Sequence, residues 1–137
     1  MAYLIDTNVI SELRKGPRCH PQVRAWRQRV AYEETFLSVI TFGELRRGIE
    51  KLRLREPSGA DVLRRWIRGL ELSYGNRILS VSLEIANLWG GLSVAQPLPT
   101  ADGLLAATAL HHGLTLVTRN TADFQRSGVD YFNPFAD

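Results

Sequence analysis

Four acidic residues lie at points of the sequence where a strand ends or a helix begins. Asp6 follows the apolar run at residues 3–5, Glu44 falls in the first turn of a helical pattern, Asp102 opens another helix, and Asp123 closely follows the last strong strand. Such positions meet at one edge of a parallel sheet, where ligand sites form. Oxygen ligands without Cys or His select Mg²⁺ or Mn²⁺. The pattern predicts a divalent-cation site suited to phosphodiester hydrolysis by an activated water.

Each of the four acids also has an ordinary structural interpretation. Asp6 could cap the first helix, and Thr41 and Glu44 have the spacing of a capping box. Asp102 could interact with a helix dipole, and Asp123 could fix a turn. Taken singly, these roles are the more common ones. What favours chemistry is the shared position, since carboxylates crowded on one rim repel one another unless a cation binds between them.

The composition is that of a folded, arginine-rich protein. The 137 residues are 45% hydrophobic and 23% charged, which suits one domain with a real core. Lysine and arginine number 17 against 14 acids, a net charge of +3, and only Lys15 and Lys51 are lysine. Arginine matches phosphate oxygens in a fork and stacks on bases. The balance therefore favours a nucleic-acid partner, although salt-bridged helix faces use arginine too.

Several classes of protein are excluded by what the sequence lacks. Cys19 is the single cysteine, so neither an internal disulfide nor a Cys-rich zinc site is expected. His111 and His112 are adjacent and would point to different faces of a helix. No apolar run approaches the roughly 18 residues that span a bilayer, and an early acid argues against a signal peptide. We expect a cytoplasmic protein with no membrane partner.

Short apolar runs alternate with helical patterns along the chain. Strands are predicted at 3–5, 35–40, 78–81, 114–118 and 129–131. Helices are predicted at 7–15, 62–70 and 102–112, and three more are predicted to begin at residues 21, 41 and 82. Such alternation indicates an α/β/α sandwich around a mainly parallel sheet. No repeat or linker divides the chain, so residues 1–137 are predicted to form a single domain.

Four segments carry the polar residues of this pattern in a fixed order. They are LIDTNVISEL at 4–13, SVITFGEL at 38–45, PLPTAD at 97–102 with small residues at 106–109, and GLTLVTRN at 113–120 followed by Asp123-Phe124. At these separations they resemble PIN-domain ribonucleases of the VapC/FitB toxin type, and the end of the chain at 128–135 fits as well. A lone D-T-N would be a weak signal, whereas four segments covering nearly the whole chain are a specific one.

This resemblance implies a PIN fold and Mg²⁺- or Mn²⁺-dependent endonuclease action on RNA. The catalytic acids of the family map onto Asp6, Glu44, Asp102 and Asp123. Asp6 and Asp102 would be the most direct metal ligands, and Asp123 would complete the sphere directly or through water. Glu44 would orient the attacking water or accept its proton. Supporting polar residues map onto Thr7, Asn8, Thr118 and Asn120.

The resemblance also concerns partners. It implies a toxin that is inhibited by a cognate antitoxin encoded beside it, and a homodimer that assembles further. Trp26, Trp66 and Trp89 lie on helical apolar stripes and either pack in the core or line a groove for an amphipathic antitoxin helix. Arg119 and the arginine-rich stretch 46–77 either contact RNA phosphates or form solvated surface.

One residue next to the candidate site departs from the family pattern. Gly103 stands directly after an acid of the site, where this type usually has alanine or another helix former, and should loosen the helix start by about 1 kcal/mol. The chain could be a PIN nuclease that processes ribosomal RNA or cuts structured DNA. It could instead be a non-catalytic PIN module whose acidic pocket holds an arginine of a partner protein.

Overall fold

A five-stranded sheet lies at the centre of the computed structural model, which describes residues 1–95 and 97–136. The strands are β1 (Tyr3–Ile5), β2 (Thr35–Ser38), β3 (Ile78–Leu79), β4 (Thr115–Val117) and β5 (Tyr131–Phe132). They lie in the order β3-β2-β1-β4-β5, and each neighbouring pair is parallel. The carboxyl ends of these strands therefore lie at one edge, as the sequence predicted.

Seven α-helices cover the two faces of the sheet in the described residues. They are α1 (Thr7–Leu13), α2 (Pro21–Arg29), α3 (Val39–Arg53), α4 (Pro57–Tyr74), α5 (Leu83–Ala95), α6 (Thr100–His112) and α7 (Thr121–Phe124). In the part of the chain the structure describes, no helix has the length and apolar character needed to cross a membrane.

Alternating side chains of the central strands divide the core into two clusters. Ile5 and Val117 belong to the cluster packed against α1 to α4, whereas Leu4 and Leu116 belong to the cluster packed against α6 and α7. Successive residues of a strand point to opposite faces, so β1 and β4 contribute to both layers. This arrangement confirms the predicted α/β/α sandwich, with a sheet that is parallel throughout the described strands.

The end of β2 differs from the prediction and moves the start of α3. Residues 35–40 were predicted as strand because Val39 and Ile40 are β-branched. The hydroxyl of Ser38 instead accepts a hydrogen bond from the Ile40 amide at 3.0 Å and caps α3. The capping-box interpretation of Thr41 and Glu44 is therefore wrong, since both residues lie inside α3 and Thr41 is fully buried.

The packing of α5 against α6 gives Gly103 a different role from the one predicted. A Cβ atom at Gly103 would lie 2.9 Å from Cδ1 of Trp89, closer than ordinary contact allows. The missing side chain therefore makes room for the Trp89 ring at the start of α6. Trp26 is a core residue at 2% exposure, while Trp66 and Trp89 are half-buried.

Candidate active site

Asp6 is the anchored member of the acidic group. It follows β1, is 4% exposed, and its backbone amide donates to the Val117 carbonyl on the neighbouring strand. One carboxylate oxygen accepts from the Thr7 amide at 2.7 Å. The other accepts from the Thr118 hydroxyl at 2.8 Å and from the Asn8 side-chain amide at 3.3 Å. Asp6 therefore caps α1, as its structural interpretation proposed, while its carboxylate keeps one fixed orientation.

The protonation of Asp6 reflects a conflict between burial and hydrogen bonding. Burial raises the pKa of Asp6, because the charged form loses hydration. Hydrogen bonds from Thr118 and from the Thr7 amide oppose this effect, and the negative charge of Glu44 raises the pKa further. The net direction is upward, because the effect of burial outweighs that of the hydrogen bonds.

Glu44 lies on α3 and is linked to α1 by a side-chain hydrogen bond. Its Oε1 accepts from the Thr7 hydroxyl at 2.6 Å, and the Thr7 and Thr41 hydroxyl oxygens are 3.3 Å apart. The carboxylate itself is exposed. Thr41 was not predicted as a site residue, because its burial becomes visible only once α3 is known to begin at Val39. Its contact with the Thr7 hydroxyl helps to hold Thr7 and, through Thr7, the Glu44 carboxylate.

Asp102 shows most directly that the acids influence one another. It lies in the first turn of α6, where α6 begins at Thr100, and its side chain is half-buried. Its pKa is raised to about 6, first by burial and then by the negative charges of Asp6, Asp123 and Glu44. The structure thus brings all four predicted acids into one electrostatic neighbourhood.

The segment after β4 supplies the remaining predicted site residues. Asp123 is exposed on α7, and its backbone amide donates to the Asn120 carbonyl at 3.2 Å. Asn120 contributes its backbone amide, which donates to the Thr118 hydroxyl at 3.1 Å. Asn8 accepts from the Arg119 amide at 3.2 Å while donating to Asp6. Three of the four supporting residues therefore bond through their side chains, and Asn120 bonds through its backbone.

The acidic group offers donors that suit Mg²⁺ or Mn²⁺. Among residues 1–95 and 97–136, no set of three or more His, Cys, Asp or Glu side chains is arranged as a ready-made metal cage. Mg²⁺, however, is usually held by one or two carboxylates and retains several waters. The raised pKa values of Asp6 and Asp102 mark a place where a cation would relieve repulsion. The side chains present therefore fit a hydrated divalent cation.

The arginine-rich stretch forms a separate groove between α3 and α4. This groove has a volume of about 500 Å³ and an apolar floor of Phe42, Ile49 and Ile67, and Arg46, Arg64, Arg65, Arg68 and Glu71 line its sides. Three of these arginines form salt bridges along their own helix, with Glu50, Asp61 and Glu71. Much of this positive charge is thus balanced locally.

Comparison with known proteins gives full-length similarity. A family model for the PIN domain matches residues 3–129. Toxin FitB from Neisseria gonorrhoeae is 34% identical over 139 residues, covering 98% of this chain and 99% of FitB. VapC ribonuclease Y4jK from Sinorhizobium fredii is 33% identical over 140 residues, covering 96% of each protein.

Solved structures give the same result at the level of the fold. The crystal structure of FitAcB from Neisseria gonorrhoeae matches with a TM-score of 0.87 at 33% identity, covering 98% of this chain and 99% of the other. A chain of a toxin–antitoxin complex from Klebsiella pneumoniae matches with a TM-score of 0.68 at 25% identity, covering 99% of this chain and 100% of its own. The likeness therefore runs through almost the whole of both chains.

Proposed function

The chain belongs to the PIN-domain family, and from this premise we propose that it is a Mg²⁺- or Mn²⁺-dependent endoribonuclease acting as the toxin of a toxin–antitoxin pair. The observation that carries the proposal is the shared field of the four acids, in which the pKa of Asp102 is raised to about 6. The names of two full-length relatives, a toxin and a ribonuclease, support the biological role and the substrate class.

Asp6 and Asp102 are the proposed cation ligands. When bound, the cation would polarise the scissile phosphate and lower the pKa of a water. Thr118 and Asn8 hold the Asp6 carboxylate in one orientation, so that its geometry is set before substrate arrives. Asp102 lies in the first turn of α6, and Asp123, whose side chain is exposed on α7, would complete the coordination sphere directly or through water.

Glu44 is proposed to orient the attacking water and to accept its proton. Thr7 donates to one carboxylate oxygen, Oε1, at 2.6 Å, which leaves the second oxygen for a water. The side chain is exposed, so solvent and substrate can reach it. Attack in line on phosphorus breaks the bond to the 3′-oxygen, which takes up a proton from solvent. The products carry a 5′-phosphate and a 3′-hydroxyl, the ends that the resemblance to PIN-domain ribonucleases implies.

Further parts of the proposal concern partners and location. We assign RNA as substrate, a cognate antitoxin as inhibitor, a homodimer as the assembling unit and the cytoplasm as the compartment. The structural match to a chain of a toxin–antitoxin complex supports the antitoxin. Arg119 is assigned to RNA contact on the basis of its charge and its exposed side chain. The groove between α3 and α4 is the weaker candidate, because three of its arginines already form salt bridges along their helices.

The proposal is tested with purified protein and RNA of defined sequence. We expect cleavage in Mn²⁺ or Mg²⁺, none in EDTA, and 5′-phosphate ends on the products. Cleavage that is indifferent to EDTA would contradict the metal-dependent mechanism. Metal-independent binding of a partner protein, with no nuclease activity under any metal, would favour the binding-module alternative.

The toxin role is tested separately in cells. Expression of the chain alone should arrest growth, and co-expression of the product of the adjacent gene should restore it. A processing nuclease would do neither, so growth that is unaffected by expression of an active enzyme would reject the toxin role while leaving the nuclease in place.

A further inference from the structure

Arg119 stands at the rim of the candidate active site on a fixed piece of backbone. The residue before it, Thr118, donates to Asp6 at 2.8 Å. Its own amide donates at 3.2 Å to Asn8, which in turn donates to the same oxygen of Asp6. The backbone at Arg119 is therefore tied to the buried carboxylate by two routes.

The side chain of Arg119 is held as well, by an aromatic ring from the end of the chain. The guanidinium carbon lies 4.6 Å from the centre of the Phe135 ring. Phe135 is positioned by its amide, which donates to the Asn133 side chain at 2.9 Å, and by edge contact with the His20 ring at 5.3 Å between centroids. The segment that follows β5 thus orients the guanidinium of Arg119, a residue that lies just after β4.

The charge of Arg119 is not used to neutralise the acids. No carboxylate among residues 1–95 and 97–136 forms a salt bridge with Arg119, whose side chain is exposed. The Phe135 ring lies against one side of the guanidinium and leaves N–H donors available to a ligand.

We propose that Arg119 binds a non-scissile phosphate of the RNA strand beside the cleavage point, and that Phe135 is the positioning residue that holds it there. A strand that approaches four carboxylates is repelled by them, and a fixed cation at the rim offsets this repulsion. A guanidinium binds a phosphate through two parallel hydrogen bonds, which sets the register of the strand. This inference rests on the proposed ribonuclease function.

Phosphate, rather than a base, is the group that this pair recognises. Arg119 already covers one face of the Phe135 ring and His20 contacts the ring from the side, so the ring is not an open platform for a base. The pair also differs from the arginines of α3 and α4, of which three form salt bridges along their helices.

The test compares Arg119→Gln, Arg119→Lys and Phe135→Leu with the control Arg29→Gln. Arg29 is an exposed arginine that borders the opposite edge of the sheet, so the control removes the same charge far from the site. Steady-state cleavage of a short RNA in Mn²⁺ is measured at several salt concentrations, and circular dichroism melting verifies that each variant is folded.

For Arg119→Gln we expect KM to rise about ten-fold while kcat changes little, and the slope of log KM against log salt to fall by about 0.7, the value of one phosphate contact on a single strand. Arg119→Lys should recover part of the affinity, because lysine keeps the charge but loses the fork. Phe135→Leu should raise KM by a smaller factor, and Arg29→Gln should leave both constants unchanged.

The failure of this inference can be told apart from the failure of the proposed function. Cleavage by wild type with unchanged KM and salt slope in Arg119→Gln would overturn the inference alone. If wild type does not cleave RNA, the proposed function fails. The phosphate contact is then tested by fluorescence anisotropy of the same RNA in Ca²⁺, where equal binding by wild type and Arg119→Gln would overturn it.

Discussion

The two edges of the parallel sheet are built from different kinds of residue. At the carboxyl-end edge, Asp6, Asn8 and Thr118 form a hydrogen-bonded polar cluster around a buried charge. At the amino-end edge, the first residues of β1, β4 and β5 border a cavity of about 520 Å³ with aromatic walls, where Arg29 and Asp130 are the charged side chains that line it. The polar residues that suit catalysis therefore lie at the carboxyl ends of the strands, and the aromatic cavity lies at their amino ends.

The largest expected effect is a loss of RNA cleavage when an aspartate is changed to asparagine at the carboxyl-end edge but not at the amino-end edge. Asp6→Asn should lower kcat/KM for RNA by at least about 100-fold, the scale of losing one electrostatic group of a hydrolytic site. Asp130→Asn, at the amino-end edge, should leave cleavage unchanged, because its side chain is exposed and lines the opposite cavity. Equal losses in both variants would show that the edges do not differ in function.

Thr115, which begins β4, and Thr118, which directly follows it, give a second matched pair. Thr118→Val removes a donor to the buried carboxylate of Asp6, which should cost about 1–3 kcal/mol of unfolding free energy. It should also reduce cleavage about ten-fold, since the orientation of Asp6 is lost. Thr115→Val, at the start of the same strand, should change stability by less than about 0.5 kcal/mol. Urea unfolding and initial rates measure both effects.

The pH dependence of stability tests whether the pKa of Asp102, at the carboxyl-end edge, is raised. The pKa of Asp102 is raised to about 6, so the folded protein binds this proton more tightly than the unfolded chain does. In metal-free protein, kept so by EDTA, the stabilisation that comes from protonated Asp102 is fully present below the ordinary pKa of 3.8. It is lost as the pH rises through about 6. Allowing for the half-exposed carboxylate, the loss should be about 1 kcal/mol.

Asp102→Asn isolates this contribution. The variant should be more stable than wild type at pH 8 in EDTA, and the difference between the two should shrink on going to pH 4. Asp130→Asn serves as the control and should follow wild type throughout. Parallel stability curves for wild type and Asp102→Asn, measured by urea unfolding, would contradict the raised pKa of Asp102.

The smallest expected effect concerns close packing next to the site. Gly103→Ala should lower stability by about 1 kcal/mol, because its Cβ would lie 2.9 Å from Trp89 and the ring must shift. Gly69→Ala adds the same methyl inside α4, where nothing lies within 4 Å, and should raise stability by about 0.5–1 kcal/mol. Thermal unfolding compares the two, and stabilisation by both changes would show that the carboxyl-end edge is loosely packed.

The parallel sheet and the closeness of the four acids could be predicted from the sequence because both follow from local patterns. Short apolar runs alternate with helical ones, which indicates a parallel sheet, and a parallel sheet brings strand ends together. Asp6 directly follows β1 and Asp102 lies in the first turn of α6, so their closeness was predictable without knowledge of any contact. The full-length resemblance to PIN-domain ribonucleases then indicated which reaction to expect of these acids.

The features that the sequence did not reveal depend on contacts between distant residues. Val39 and Ile40 extend a strand pattern, and only the cap formed by Ser38 ends β2 before them. The role of Gly103 depends on Trp89, which lies on another helix. Arg119 and Phe135 meet because β4 and β5 are neighbours, a pairing that no periodicity specifies. Side-chain contacts of this kind require the tertiary structure.

The central claim is that the carboxyl-end edge holds a divalent cation between Asp6 and Asp102. Isothermal titration of Mn²⁺ into metal-free wild type, Asp102→Asn and Asp130→Asn tests this claim most directly. We predict saturable binding to wild type and to Asp130→Asn, and binding at least about ten-fold weaker in Asp102→Asn. Equal Mn²⁺ affinity in wild type and Asp102→Asn would contradict it.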